Sequence, residues 1–244
     1  MAGDGPDLYP VFRGILRPAV KMFWKPTVIG IENVPTTGPA LIAANHISVL
    51  DSVFMIPTLS RRITYIGKAE YLDSWKTKHF FRGLGAIPVD RSGGDAAAAA
   101  LHSAAQVLEN GGLFGIFPEG TRTRDGFLHR GKTGVARLAM RTGAPVVPIG
   151  LRGLDEIQPP DAKFPRPFRH WEVRIGEPLH PQRYGTDPND NQALRALTDE
   201  IMFEIGELSG QTYVNTYSEK GKRPDSPSTV KRPGNAASSA HLTS

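Results

Sequence analysis

The sequence predicts an α/β fold: a single domain with a mixed, mostly parallel sheet of about six or seven strands flanked by helices, preceded by an N-terminal amphipathic helical segment. Two observations carry this. Apolar runs of strand length, such as Ala40-Leu41-Ile42-Ala43-Ala44 and Leu113-Phe114-Gly115-Ile116-Phe117, alternate with longer segments at helical spacing. The chain's 244 residues are enough for one such domain with a full core.

Taken in order, Leu8 to Lys25 carries Arg13, Arg17, Lys21 and Lys25 along one side of a helix, with Leu8, Phe12, Ile15, Leu16, Ala19 and Phe23 on the other. Pro18 is expected to kink or split it. A basic amphipathic segment with Trp and Phe suits a membrane interface; a surface helix packed on its own domain fits the pattern equally. Thr27 to Glu32 reads as a strand. Strand Ala40 to Ala44 stops at Asn45, and Ser48 can cap a helix from Val49 to Pro57. Ile63 to Ile66 is a strand running into Gly67-Lys68, and Tyr71 to Phe81 is helical. Ile87 to Val89 is a short strand that Pro88 assigns to a sheet edge. Ala96 to Asn110 is a helix stopped by Gly111-Gly112. After strand Leu113 to Phe117 come a polar loop, Thr123 to Arg130, and a helix, Lys132 to Arg141. Ala144 to Gly150 and Trp171 to Gly176 are strands. Asp190 to Leu208 is a helix with Leu194, Leu197, Ile201, Ile205 and Leu208 on one face. The expected organisation is thus 1–26 as an interface segment, 27–216 as the folded α/β domain and 217–244 as a disordered tail rich in Lys, Pro, Ser and Gly.

The stretch Asn45-His46-Ile47-Ser48-Val49-Leu50-Asp51 concentrates the chemistry. It places His46 in a turn at the C-terminal end of a strand, where open α/β sheets hold ligands. Asp51, in the first turn of the next helix, is within reach of the His46 ring. A carboxylate on one ring nitrogen fixes the tautomer and leaves the other to take a proton from a hydroxyl. Ser48-x-x-Asp51 is also a capping box, which explains both residues without catalysis; the cap can belong to Ser48 while Asp51 serves the histidine.

Composition narrows the classes. There are no cysteines, so disulfides, thiolate catalysis and Cys-based zinc sites are excluded. No run reaches the ~18 apolar residues of a membrane span, and no secretory signal is expected. The net charge of +5 favours an anionic partner. Nucleic acid is not expected, since the basic residues are dispersed and no recognition motif appears. Gly126 to Thr133 satisfies the phosphate-loop pattern GxxxxGK[ST], but no buried strand runs into Gly126, so the reading is refused.

Four segments together resemble the lysophosphatidic acid acyltransferase family, the 1-acylglycerol-3-phosphate O-acyltransferases. Asn45-His46-x-Ser48-x-x-Asp51 is similar to its first motif and Gly85-Ala-Ile-Pro-Val-Asp90-Arg91 to its second. Phe117-Pro-Glu-Gly-Thr-Arg122 is similar to its third, and Val147-Pro148-Ile149 to its fourth. Pro88 departs from the phenylalanine common in the second motif. The resemblance implies acyl transfer from acyl-CoA or acyl-carrier protein to the free hydroxyl of 1-acyl-sn-glycerol 3-phosphate, giving phosphatidic acid, with His46 as base and Asp51 orienting it. It implies phosphate binding by Arg91, Glu119, Gly120, Thr121 and Arg122, orienting roles for Asn45 and Ser48, and an acyl-donor site shaped by Val147, Pro148 and Ile149, although burial explains those three as well. Lys68, a cation at a strand end, is added to the phosphate set; a solvated lysine is the alternative. No cofactor and no metal are expected beyond the acyl-donor co-substrate. Arg13, Arg17, Lys21 and Lys25 would meet an anionic membrane, placing a peripheral or monotopic enzyme at the cytoplasmic face of the cell membrane. Two other functions stay open: acylation of another lysophospholipid, glycerolipid or glycolipid, and a catalytically silent lipid-binding module.

Overall fold

A computed structural model describes residues 8–68, 86–89, 96–159, 162, 164–185 and 187–218. The expected helix Tyr71 to Phe81, Arg91 with its Asp90 neighbour, and nearly all of the 217–244 tail lie outside the described residues. Helix α1 spans Tyr9–Trp24, β1 Thr27–Ile29, β2 Ala40–Ala44, α2 Asp51–Thr58, β3 Ile63–Lys68, β4 Ala86–Val89 and α3 Ala96–Glu109. Then follow β5 Leu113–Ile116, β6 Leu128–His129, α4 Gly134–Thr142, β7 Val146–Arg152, α5 Leu154–Ile157, β8 Glu172–Ile175, α6 Asn191–Ser209 and β9 Tyr213–Val214.

The seven-stranded sheet has the order β1-β8-β7-β2-β5-β3-β4. Every pairing in it is parallel except β7 with β8. Strand β2 sits at the centre because all five of its residues are buried and apolar, so both its faces need cover. Ala40, Ile42 and Ala44 pack in the core beneath α1 and α2, while Leu41 and Ala43 pack in the core beneath α3, α4 and α6. Among the described residues, strand β4 stands last in the sheet order, the edge position that Pro88 tolerates.

Chain path then fixes where a ligand can sit. From β2 the chain passes through α2 to β3, beyond β5; from β5 it passes through α4 to β7, beyond β2. The two crossovers leave the neighbouring strand ends in opposite directions and cover opposite faces, which opens a crevice at their C-terminal ends. His46 follows β2 and the Phe117–Arg122 segment follows β5, so both lie at that crevice.

Three local expectations are corrected. Helix α1 is continuous through Pro18 rather than broken there; the proline ring stands on the exposed side, and one missing hydrogen bond is tolerable where solvent reaches the carbonyl. The polar loop from Thr123 contains the short strand β6, which pairs with β9. Ile15 belongs to the solvent side of α1, 66% exposed, because the core stripe is Tyr9, Leu16, Val20 and Trp24.

Candidate active site

Asn45 ends β2 by acting as an extra rung. Its Oδ1 accepts from the Leu151 amide at 2.7 Å and its Nδ2 donates to the Leu151 carbonyl at 2.9 Å. Nδ2 also donates to Gln211 Oε1 at 2.7 Å. A fully buried amide with these partners clamps the turn to β7. His46 follows with its direction set.

The His46 Nδ1–H donates to Asp51 Oδ2 at 2.8 Å. The same oxygen accepts from the backbone amides of Ile47 at 2.8 Å and Ser48 at 3.0 Å. Asp51 therefore ties down the turn ahead of α2 and orients the imidazole with one atom; α2 itself starts from Leu50 with no side-chain cap, so the expected Ser48 cap is corrected to a turn contact. Ser48 Oγ accepts from the Leu50 amide at 3.2 Å and closes the turn. Burial pushes the Asp51 carboxyl up from its ordinary value, opposed by the His46 hydrogen bond and charge and by the Ser48 and Ile47 amides. Its Oδ1 is buried with no partner. The imidazole side chain is 21% exposed, leaving Nε2 for an acceptor hydroxyl.

Beneath His46 lies Phe117, ring centroids 4.0 Å apart and nearly parallel; Tyr65 stacks on the far side at 5.9 Å. Burial, then the Asp51 and Tyr9 charges, raise the Tyr65 hydroxyl far above its usual range, so it stays protonated. The stack stops the imidazole from tilting away from Asp51 and was not foreseen; Phe117 lay within the third motif without a role.

Glu119 is corrected from phosphate ligand to internal brace. It is fully buried; Oε1 accepts from the His46 amide at 3.2 Å and Oε2 from the His129 amide at 2.9 Å. Both oxygens are occupied, and a carboxylate would repel a phosphate. Burial pushes its pKa up to about 7, against the pull of the His129 and His46 amides. A second brace is the Thr123 amide, which donates to the His46 carbonyl at 2.8 Å. Below it Asp125 accepts from the Thr123 hydroxyl at 2.6 Å, from the Phe127 amide and from His129 at 2.9 Å. Burial alone would raise Asp125, but these bonds hold its pKa below the usual range. Of this pair His129 fell inside the refused phosphate-loop pattern and Asp125 directly before it, where only turns precede the short strand β6.

The remaining candidates divide. Arg122 lines a cavity of about 90 Å³ with Ile47, Ser48, Val49, Thr123 and Arg124, closed by Gln158 and Pro159. It is therefore on the same side of the molecule as His46. Thr121 is half-buried beside it and Gly120 is exposed. Gly120 has φ +75°, and a side chain there would begin 3.1 Å from Lys132 Nζ, so the glycine lets that cation lie against the turn. Lys68 is the last residue of β3. Val147, Pro148 and Ile149 all lie buried within β7, with Val147 and Ile149 in the core beneath α1 and α2, so burial accounts for them. Arg13 turns inward and donates to the Leu59 carbonyl at 2.8 Å, so it is corrected from membrane contact to a tie between α1 and α2. Four-residue steps advance about 40° around a helix, and the basic row winds from Arg13 at the core to exposed Arg17, Lys21 and Lys25. Among the described residues, no group of His, Asp and Glu converges in a metal-holding arrangement.

Residues 25–152 match the Acyltransferase family. The chain belongs to the acyltransferase family. It is similar to the 1-acyl-sn-glycerol-3-phosphate acyltransferase BAT2, chloroplastic, of Brassica napus, with 30% identity over 76% of this chain and 51% of that protein. The 1-acyl-sn-glycerol-3-phosphate acyltransferase of Bacillus subtilis is 29% identical over 80% of this chain and 91% of its own length. The crystal structure of the 1-acyl-sn-glycerophosphate (LPA) acyltransferase PlsC from Thermotoga maritima superposes with a TM-score of 0.66, 25% identity and coverage of 83% of this chain and 80% of that one. This chain spans about half the length of the chloroplast relative.

Proposed function

We propose that this protein transfers a fatty acyl group from the thioester of acyl-CoA or acyl-carrier protein to the free hydroxyl of 1-acyl-sn-glycerol 3-phosphate, giving phosphatidic acid for phospholipid synthesis. The observation that carries the reading is the His46 Nδ1–Asp51 bond at 2.8 Å, which leaves Nε2 free of that bond, with the Arg122 cavity lined by the next two residues, Ile47 and Ser48. Nε2 takes the hydroxyl proton as the oxygen attacks the thioester carbon. The carbon–sulfur bond breaks, and the thiolate recovers the proton from Nε2. Asp51 stabilises the imidazolium between these steps. No acyl-enzyme and no cofactor take part.

Arg122 offers a planar fork for the acceptor phosphate. Arg91, Lys68, Gly120 and Thr121 complete the proposed phosphate set. Residues 27–216 form the catalytic unit, with 1–26 as the interface segment and 217–244 as a tail. No described helix is long and apolar enough to cross a membrane. The acceptor is itself a lipid, and lifting a 16-carbon chain into water costs on the order of 12 kcal/mol. Working at an anionic bilayer on the cytoplasmic face avoids that cost. Exposed Val11, Ile15 and Met22 on one face of α1, beside Arg17, Lys21 and Lys25, support such a contact.

The test is an acceptor panel with radiolabelled acyl-CoA. Lysophosphatidic acid should be the preferred acceptor over lysophosphatidylcholine, monoacylglycerol and a glycolipid. Preferential labelling of an acceptor without a phosphate monoester would overturn the assignment.

A further inference from the structure

We infer that the α5–β8 connection carries a second bilayer-inserting element, the exposed rings of Phe164 and Phe168, which docks with α1 onto an anionic lipid surface and brings the His46 crevice against it. The inference rests on the membrane reading above and adds to it a different part of the chain.

Phe164 is 80% exposed and Phe168 77%, the two most exposed large apolar side chains among the described residues. Exposed rings this far from water's preference mark a contact surface when they cluster, and Phe168 has such a neighbour, with Phe164 four residues before it on the same connection. Phe168 stands 5.9 Å from Phe23 of α1, centroid to centroid. From Phe23 an unbroken aromatic series runs inward through Trp24 and Phe54 to buried Trp171, with steps of 5.7, 5.2 and 5.2 Å. The loop is fixed to the helix end by two hydrogen bonds: the Phe168 amide to the Phe23 carbonyl at 2.7 Å, and the Trp24 indole to the Arg166 carbonyl at 2.8 Å. Phe168 holds φ +60°, a conformation costly for a bulky residue and one that persists where surrounding contacts fix it, as these two hydrogen bonds do. The ring is thus held outward by its surroundings.

Charge names the occupant. Arg166 and Arg169 are exposed beside the rings, Arg17, Lys21 and Lys25 are exposed on α1, and neither α1 nor the segment from Phe164 to His170 contains an acidic residue. Aromatic rings bordered by cations, with no anion among them, match the headgroup region of an anionic bilayer. Topology supplies the purpose. Strand β7 runs parallel to β2, β8 antiparallel to β7 and β1 parallel to β8. The end of α1, the start of β8 and the exit of β7 therefore all gather at the sheet end that holds His46. Gln158 and Pro159, which begin this connection, already wall the Arg122 cavity.

The test uses the full chain with vesicles of phosphatidylcholine and phosphatidylglycerol. Phe164→Ser/Phe168→Ser should lower the vesicle partition coefficient roughly tenfold or more, with thermal unfolding in the absence of lipid unchanged. Phe164→Trp should retain binding and show emission quenched by brominated acyl chains beyond the quenching of the native three tryptophans. If Arg17→Glu/Lys21→Glu releases the protein while the double serine variant binds as wild type does, this inference falls and the α1 contact stands. If the wild-type chain binds no vesicles, both fall. Absence of added quenching in Phe164→Trp also overturns the inference.

Discussion

Two buried carboxylates flank His46 and do opposite kinds of work. Asp51 holds the ring, and Glu119 holds the backbone that carries the ring. Glu119 also has a measurable signature. Its folded pKa is raised, from 4.5 to about 7. Between those values the folded chain keeps a proton that the unfolded chain has released. Its contribution to stability is therefore complete below the lower value and is lost as pH rises toward the upper one, by at most about 3 kcal/mol. Urea unfolding at pH 5 and pH 7.5 should show this loss in the wild type. In Glu119→Gln the difference between the two pH values should shrink by a comparable amount, with the whole curve lowered because an amide offers only one acceptor to two N–H donors. An unchanged pH dependence would remove Glu119 from the account.

At the scale of elements, strand β5 depends on a residue it lacks. A Cβ on Gly115 would lie 2.1 Å from the Tyr65 ring, so the glycine is what lets Tyr65 lie flat behind Phe117. Gly115→Ala should overpack this site by about 1–3 kcal/mol and lower Tm by roughly 2–12 °C. Trimming the ring in Gly115→Ala/Tyr65→Val should restore part of the loss, a coupling that independent sites would not show. The strands and long helices were legible in the sequence because their apolar runs and spacing answer to burial alone: β2, α3 and α6 lie within about two residues of expectation. Asp190 caps α6 with its side chain on the Gln192 and Ala193 amides, as that residue type does. Other features rest on contacts between distant segments. The β6–β9 pair joins residues 128–129 to 213–214, and Arg13 was drawn from the basic row by a carbonyl on α2. No local pattern encodes either. Among site residues, His46 and Asp51 were legible because they are five apart and bond directly. Glu119 was misassigned because a motif records that a residue is needed, not whether it touches substrate or backbone.

For the whole molecule, the chain order puts three separate things on one rim of the sheet: His46, the arginine-lined cavity next to it in sequence, and the aromatic and cationic surface proposed above to meet a bilayer. A lipid headgroup entering from such a surface would reach Arg122 and His46 without its acyl chains leaving the membrane. That route depends throughout on His46 acting as a base. The most direct test is acyl transfer to lysophosphatidic acid by His46→Ala, measured alongside wild type with the same labelled thioester and with unfolding monitored on both. A rate lower by about 10² to 10⁴-fold, the usual worth of a general base, in a variant that still unfolds cooperatively is the result expected. Turnover within a few-fold of wild type would contradict the role given to His46.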